Sequence, residues 1–295
     1  MAKYILSCES TVDLPNDYVL GRGISIIYYS YTANGQVYVD DMKEESLKRF
    51  YKWLDEGIIP TTSQLNQYQY EEYFRSLLSK GDNVLHICFG TGMTQSYNNA
   101  LLAEKTMRVE FPNQDLIVID STCSSSGYGL FVDDIKDMLD KNTPIESIVH
   151  WIYDNRLCIH HQFFSTDLKY FRRTGRMSGP VVFLASTLNI CPIMHLNKEG
   201  KIIAYSKVMG ERAAVKKTIE TMVEHCDNGV DYKGKVFISH SNDLEHAEMT
   251  KEALLSRFHN LKESDIRINS IGTIIASHAG PGTVAIFFHG DERQE

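Results

Sequence analysis

The stretch NVLHICFGTGMTQSYNNALLAEKTMRVEFPNQDLIVIDSTCSSSGYGLFVDDIKDMLDK, residues 83–141, decides the fold. It runs twice through one pattern: an apolar run, a turn rich in glycine and hydroxyls, and a longer segment of helical character. The first pass is NVLHICF, GTGM and TQSYNNALLAEKTM; the second is DLIVID, STCSSSGYG and LFVDDIKDMLDK. Strands alternating with helices predict an α/β domain with a mostly parallel sheet and flanking helices.

The alternation extends upstream. KYILSC is a short strand that ends in the polar turn ESTVDLP, and ISIIYYSYTANGQVYVDD holds two β-rich runs around Asn34-Gly35, a strong hairpin signal. In KEESLKRFYKWLDEG, Leu47, Phe50, Tyr51 and Leu54 recur at helical spacing and Gly57 supplies a stop. IIPTTSQLN reads as a loop before the helix YQYEEYFRSLLSKG.

Downstream, TPIESIVHWIYDNR reads as a helix capped by Thr143 with Pro144 at its first position. Strand CIHHQFF, helix DLKYFRR, an apolar helix near VVFLASTL and the hairpin IMHLNKEGKIIAYSK follow, then further helices and strands. In SIGTIIASHAGPGTVAIFFHGDE, residues 270–292, Pro and Gly break an apolar run, which leaves His278 at the end of a strand. These readings divide the chain into an N-terminal α/β domain, residues 1–155, and a C-terminal α/β domain with a mixed sheet, residues 156–295. A ligand cleft is expected between them.

Composition narrows the function. The 295 residues are 43% hydrophobic and 23% charged, as in a globular protein, and no stretch approaches the roughly 18 apolar residues that cross a bilayer. The amino-terminal MAKYILSCESTVDLP does not read as a signal peptide, so a cytoplasmic location without stable membrane insertion is expected. Six cysteines without a CxxC pair read as reduced thiols. A net charge of −8 works against binding nucleic acid or anionic membranes. LKYFRRTGR, residues 168–176, is the notable basic cluster; it is either a solvated face or an anion or partner site carrying Arg172, Arg173 and Arg176.

The chemistry is concentrated in three turns, PTTSQ (60–64), GTGMTQS (90–96) and DSTCSSSGYG (120–129). Each read alone is equally an N-cap, because Ser and Thr are favoured before helices. Together they predict an oxyanion pocket at the carboxyl ends of strands, with Gly90 and Gly92 admitting backbone close to a ligand. No GxxxxGK[ST] or GxGxxG motif is present, so no nucleotide cofactor is expected. No metal is expected either: His160 and His161 face opposite sides of their strand, and His240, His278 and His289 lack partners in ligand spacing. A hydrolase or acyltransferase acting on a lipid ester, with Thr94 or Ser121 as nucleophile and His278 as base, is the rival reading.

Taken in order, the motifs resemble the DegV family, whose members include the fatty-acid-binding subunits of bacterial fatty acid kinase. ILSCESTVDLP resembles that family's first strand and Asp-Ser turn, with Glu9 where Asp is usual. PTTSQ matches its Thr-Ser-Gln turn, DLKYFRRTGRMS its basic segment, SHAGPG its His-Thr-Gly-Pro-Gly, and NICPIMHLNKEGKI with KVMGERAA its hairpin. The resemblance implies a two-domain protein that is not itself an enzyme. It would bind one long-chain fatty acid, palmitate- or oleate-like, with the tail buried and the carboxylate held by hydroxyls and a histidine. Carried over, the ligand-binding residues are Thr62, Ser63, Thr94, Ser121, His278 and Gly280. Thr94 stands for the family's Ser, keeping the hydroxyl and adding a methyl. A partner kinase would phosphorylate the bound carboxylate, docking on Arg172, Arg173 and Arg176.

Overall fold

The computed structural model describes residues 3–178 and 189–294. The apolar segment VVFLASTL, residues 181–188, lies outside the described residues. The first half contains β1 (Tyr4–Glu9), α1 (Asn16–Gly21), β2 (Ser25–Ile27), β3 (Ser30–Ala33), β4 (Gln36–Val39), α2 (Glu44–Asp55) and β5 (Thr61–Ser63). It continues with α3 (Gln67–Leu78), β6 (Asn83–Cys88), α4 (Ser96–Glu110), β7 (Leu116–Asp120), α5 (Ser125–Asp140) and α6 (Ile145–Asn155). The second half contains β8 (Ile159–Ser165), α7 (Lys169–Thr174), β9 (Met177–Ser178), β10 (Ile190–Leu196), β11 (Ile202–Met209), α8 (Glu211–His225) and β12 (Val236–His240). α9 (Leu244–Arg257), β13 (Ile266–Ser270), α10 (Thr273–Ala279) and β14 (Thr283–His289) complete it.

The expected α/β architecture is present. A four-stranded sheet runs β2-β1-β6-β7 with every pair parallel. A seven-stranded sheet runs β13-β12-β14-β8-β10-β11-β9 and is mixed, and a small antiparallel sheet runs β4-β3-β5. The strands of the first and third sheets all precede Ser121, and those of the seven-stranded sheet all follow Cys158. Among the described residues no helix is long and apolar enough to cross a membrane.

The order β2-β1-β6-β7 places a switch of chain direction between β1 and β6, and a crevice opens outside the carboxyl ends of strands at such a point. Glu9 pins this edge. Fully buried, it accepts from the Phe89 amide at 3.1 Å, from the Tyr29 hydroxyl at 3.1 Å and from the Tyr70 hydroxyl. Burying a carboxylate requires such donors, and these three fasten the ends of β1 and β6 to each other and to α3.

α5 lies between the layers, touching β1 on one side and β8, β12 and β14 on the other. It begins at Ser125, so Gly127 and Gly129, expected in a turn, are helical. A Cβ at Gly127 would sit 2.4 Å from His161 Nε2, and one at Gly129 would sit 2.5 Å from the Val12 carbonyl oxygen. Glycine lets one helix serve both sheets, and a single apolar cluster runs through them, from Leu6 and Leu85 to Phe163 and Phe287. Ion pairs bind the same layers: Arg22 and Lys235 each reach Asp133 at 2.6 Å.

Three local expectations are corrected. PTTSQ is not a loop: Thr61–Ser63 form the edge strand β5, paired with β3. The cap of α6 is Pro144 rather than Thr143. His278 stands in helix α10 rather than at a strand end. The Asn34-Gly35 hairpin forms as expected, with φ of 52° and 73°.

α10 is helical because distant residues hold its start. Thr273 Oγ1 donates to Asp40 Oδ1 at 2.7 Å, and the absent Cβ of Gly272 leaves room for Asp13, whose Oδ1 would lie 2.5 Å from such an atom. The Asp40 carboxylate beside the first turn offsets its unsatisfied amides, whereas burial pushes the Asp13 carboxyl well up from its ordinary value. Burial pushes the Asp40 carboxyl up to about 6.

Candidate functional site

At the carboxyl ends of β1 and β6 lies a cavity of about 410 Å³. Thr62 and Ser63 come from β5, and the turn from Phe89 to Gln95 links β6 to α4. Ile274, Ile275, His278 and Ala279 come from α10, and Phe171 and Arg176 from α7 and the residues after it. Tyr29, Ser124 and Ile202 close the walls.

The polar end is organised around one contact: Thr62 Oγ1 and His278 Nε2 stand 2.8 Å apart. Across the cavity Thr94 Oγ1 accepts from the Ser96 amide at 3.2 Å, next to the start of α4, whose 15 residues direct their positive dipole end here. Burial first, then Arg176 and Arg173, lowers the His278 pKa to about 4. At neutral pH the ring is therefore an uncharged hydrogen-bonding group. Among the described residues its buried Nδ1 meets no hydrogen-bond partner.

The shift carries a sign for stability. Unfolded, His278 returns to about 6.5, so the unfolded chain binds more protons between pH 6.5 and 4 and stability falls as pH drops through that window. Asp40, with its raised pKa, acts in the opposite sense, so His278 must be isolated by difference. The stability advantage of wild type over His278→Gln is expected to be constant above about pH 6.5 and to shrink towards pH 4. Urea midpoints of both proteins across this range measure it; parallel curves would contradict the buried neutral imidazole.

A second pocket, of about 60 Å³, continues from the first and shares Ser124, Phe171, Ile202, Ile275 and Ala279 with it. It extends to Phe163, Leu196, Ala285 and Phe287, and its walls are almost wholly apolar. His161 also faces it, but Nε2 accepts from the Ser124 amide at 3.0 Å and Nδ1 lies 3.0 Å from the Ile159 carbonyl. Burial pushes its pKa well down, so it is a neutral, hydrogen-bonded wall. A polar chamber thus opens into a greasy one.

A family model described as "Uncharacterised protein, DegV family COG1307" matches residues 6–291. The chain belongs to the DegV family. It is 29% identical over 295 residues to the DegV domain-containing protein CPE0026 of Clostridium perfringens, covering 100% of both chains. It is also 29% identical to TTE1491 of Caldanaerobacter subterraneus, covering 98% of this chain and 99% of that one. Among solved structures it superposes on a DegV lipid binding protein from Thermotoga maritima with a TM-score of 0.85 at 23% identity, covering 99% of this chain and 100% of that chain. A DegV family protein from Thermus thermophilus, whose structure is described by its fatty acid binding, gives a TM-score of 0.85 at 24% identity, covering 98% and 100%.

Of the expected DegV ligand residues, Thr62, Ser63, Thr94 and His278 line the cavity together. Ser121 does not: it is fully buried, and its hydroxyl accepts from the Cys123 amide at 3.0 Å, holding the turn after β7. Gly280 does not either. It ends α10 at φ 69°, and a Cβ there would strike the Tyr170 ring at 2.2 Å, so glycine is needed for packing rather than for ligand approach. Gly90 is likewise packed against protein, at Cys123, whereas Gly92 lines the cavity and also packs against Gly200.

The three arginines separate. Arg176 lines the cavity mouth, Arg173 donates to the Ser277 carbonyl at 3.1 Å and lies over Tyr170, and Arg172 is exposed outside the cavity. Sequence reasoning missed Tyr29, Phe89, Ile202 and the Ile274-Ile275 pair as walls. Phe89 carried a signal, because it directly follows a strand in a parallel sheet; Ile202 arrives from the opposite sheet and carried none.

Proposed function

We propose that this chain is a carrier for one long-chain fatty acid. The carboxylate lies among Thr62, Ser63, Thr94 and His278, and the tail enters the apolar pocket toward Phe163 and Phe287. The observation that carries this reading is the pair of joined chambers, hydroxyl-lined at one end and greasy at the other, with five walls in common. The family gives support: a DegV family protein from Thermus thermophilus is described by its fatty acid binding, and one from Eubacterium eligens as loaded with heptadecanoic acid. Each charge-assisted bond to the carboxylate contributes about 1.5–3 kcal/mol. At about 0.8 kcal/mol per methylene, a tail of roughly fourteen contributes on the order of 11 kcal/mol before ordering costs.

The Thr62–His278 contact also has the shape of a nucleophile and base, which favours an ester hydrolase as the second reading. Two features weigh against it: among the described residues no carboxylate orients Nδ1, and a ring with a pKa of about 4 is a poor base at neutral pH. Denaturing mass spectrometry of an organic extract of the purified protein is expected to give about one fatty acid, palmitate- or oleate-like, per chain. An empty extract, with no uptake of added fatty acid, would sink the carrier reading.

The carrier offers its cargo's carboxylate at the cavity mouth to a partner kinase that docks on the basic face. Arg172 is the residue to test, because Arg173 also braces α10 beside His278. Arg172→Glu is expected to retain fatty acid at wild-type level while slowing acyl-phosphate formation by a fatty acid kinase several-fold; unchanged phosphorylation would remove Arg172 from the docking surface.

A further inference from the structure

On the face of the seven-stranded sheet covered by α8, two imidazoles and a carboxylate converge. His160 projects from β8, His225 is the last residue of α8, and Asp291 follows β14. His160 Nε2 lies 2.9 Å from Asp291 Oδ1, and His225 Nδ1 lies 3.1 Å from Oδ1 and 3.2 Å from Oδ2 of the same carboxylate. We propose that His160, His225 and Asp291 form a binding site for a zinc-class divalent cation.

The ligand set selects the metal class. Two imidazole nitrogens with one carboxylate oxygen suit zinc and its neighbours, whereas magnesium and calcium favour all-oxygen sites. Ligand atoms around a tetrahedral zinc sit roughly 3.3 Å apart, from bonds of about 2.0–2.1 Å. The two nitrogen–oxygen separations lie close to that, and all three ligand atoms lie within 4.8 Å of one another, so the three can converge on one cation. The side chain of His160 is 5% exposed, that of His225 37% and that of Asp291 58%, so solvent reaches the fourth position.

The arrangement is built rather than accidental. The Asp291 amide donates to the His225 carbonyl at 2.9 Å, fixing two of the ligands relative to each other. Between them Gly290 passes so closely that a Cβ would sit 2.1 Å from the His225 oxygen, and only glycine allows that path. The His160 ring is stacked between His225 and Phe288, at centroid distances of 5.1 Å to each. His160 Nε2 also lies 2.9 Å from the Asp291 carbonyl oxygen, so a cation would bind there in place of the proton that this nitrogen donates, the ring keeping its proton on Nδ1. The nearby Arg293 donates to the Thr122 and Arg156 carbonyls at 3.0 and 3.1 Å, and its positive charge sets an upper limit on how tightly a cation is held. Sequence spacing pointed away from a metal because Asp291 lies 131 positions from His160.

Bound there, the cation would clip the end of α8 and the segment after β14 to the strand whose other face, through His161, walls the apolar pocket. The full chain is titrated with zinc chloride against a chromophoric chelator, and cobalt is substituted for its spectrum. One equivalent is expected per chain. Weakening of roughly tenfold or more is expected in His225→Ala and in Asp291→Ala, at a half-buried and an exposed position. His259→Ala, which breaks the exposed His259–Asp231 pair at 3.1 Å, is the control and is expected to bind as wild type, as is Cys158→Ser. Zinc is also expected to raise the unfolding midpoint of wild type and not of Asp291→Ala. Equal affinity in all variants, a sulfur-to-cobalt charge-transfer band, or no saturable binding would each overturn the site and leave a histidine–carboxylate hydrogen-bond cluster only.

Discussion

Thr62→Val is expected to weaken fatty-acid retention roughly ten- to a hundredfold while leaving the fold intact. Valine matches threonine in shape, so the edge pairing of Tyr31 with residue 62 persists. What disappears is a hydroxyl that contacts His278 Nε2 at 2.8 Å and that, in the proposed complex, would donate to the carboxylate. A charge-assisted bond is worth about 1.5–3 kcal/mol, and 1.4 kcal/mol is about tenfold in affinity. The loss also strands the imidazole, whose Nδ1 already has no partner among the described residues. Competition against a fluorescent fatty acid measures the change, and Thr62→Ser is expected to restore most of it. Retention equal to wild type in Thr62→Val would place the head group elsewhere.

Gly92→Ala is expected to have the largest effect on stability. A Cβ at Gly92 would lie 2.3 Å from the carbonyl oxygen of Gly200 and 2.6 Å from that of Glu199. Both obstacles are backbone, so no rotamer change relieves them and the turn must move away from the β10–β11 hairpin. Forcing extra atoms into a packed contact costs about 1–3 kcal/mol, and this one is at the upper end because neither side yields. The same displacement shifts Thr91 to Thr94, so binding is expected to fall together with the unfolding midpoint. Thermal denaturation with and without added fatty acid tests both; a midpoint equal to wild type would mean that the two segments are not in contact.

Much of the architecture was legible because local signals agreed with the final fold. Leu47, Phe50, Tyr51 and Leu54 mark one face of α2, and Phe50, Tyr51 and Leu54 are buried in it. Asn34 and Gly35 adopt the positive φ that a tight hairpin demands. The clustering of hydroxyls after strands also led to a real cavity, through Thr62, Ser63 and Thr94.

The failures share one physical cause, which is that distant parts of the chain decide the local outcome. Ile274 and Ile275 are β-branched and read as strand, yet Asp13 and Asp40 favour a helix start at Thr273. Gly280 and Gly90 looked permissive toward a ligand, but each is crowded by a neighbour from elsewhere, Tyr170 and Cys123. Ser121 has the right chemistry in the right turn and points into its own backbone. No window of sequence contains these partners.

Thr62 and His278 stand 216 positions apart, and α10 takes its cap from the first forty residues. A nascent chain leaving the ribosome can complete neither until nearly its last strand has emerged. On the carrier reading, loading therefore waits until α10 has folded, and while translation proceeds the unfinished greasy walls are exposed to whatever holds nascent chains apart.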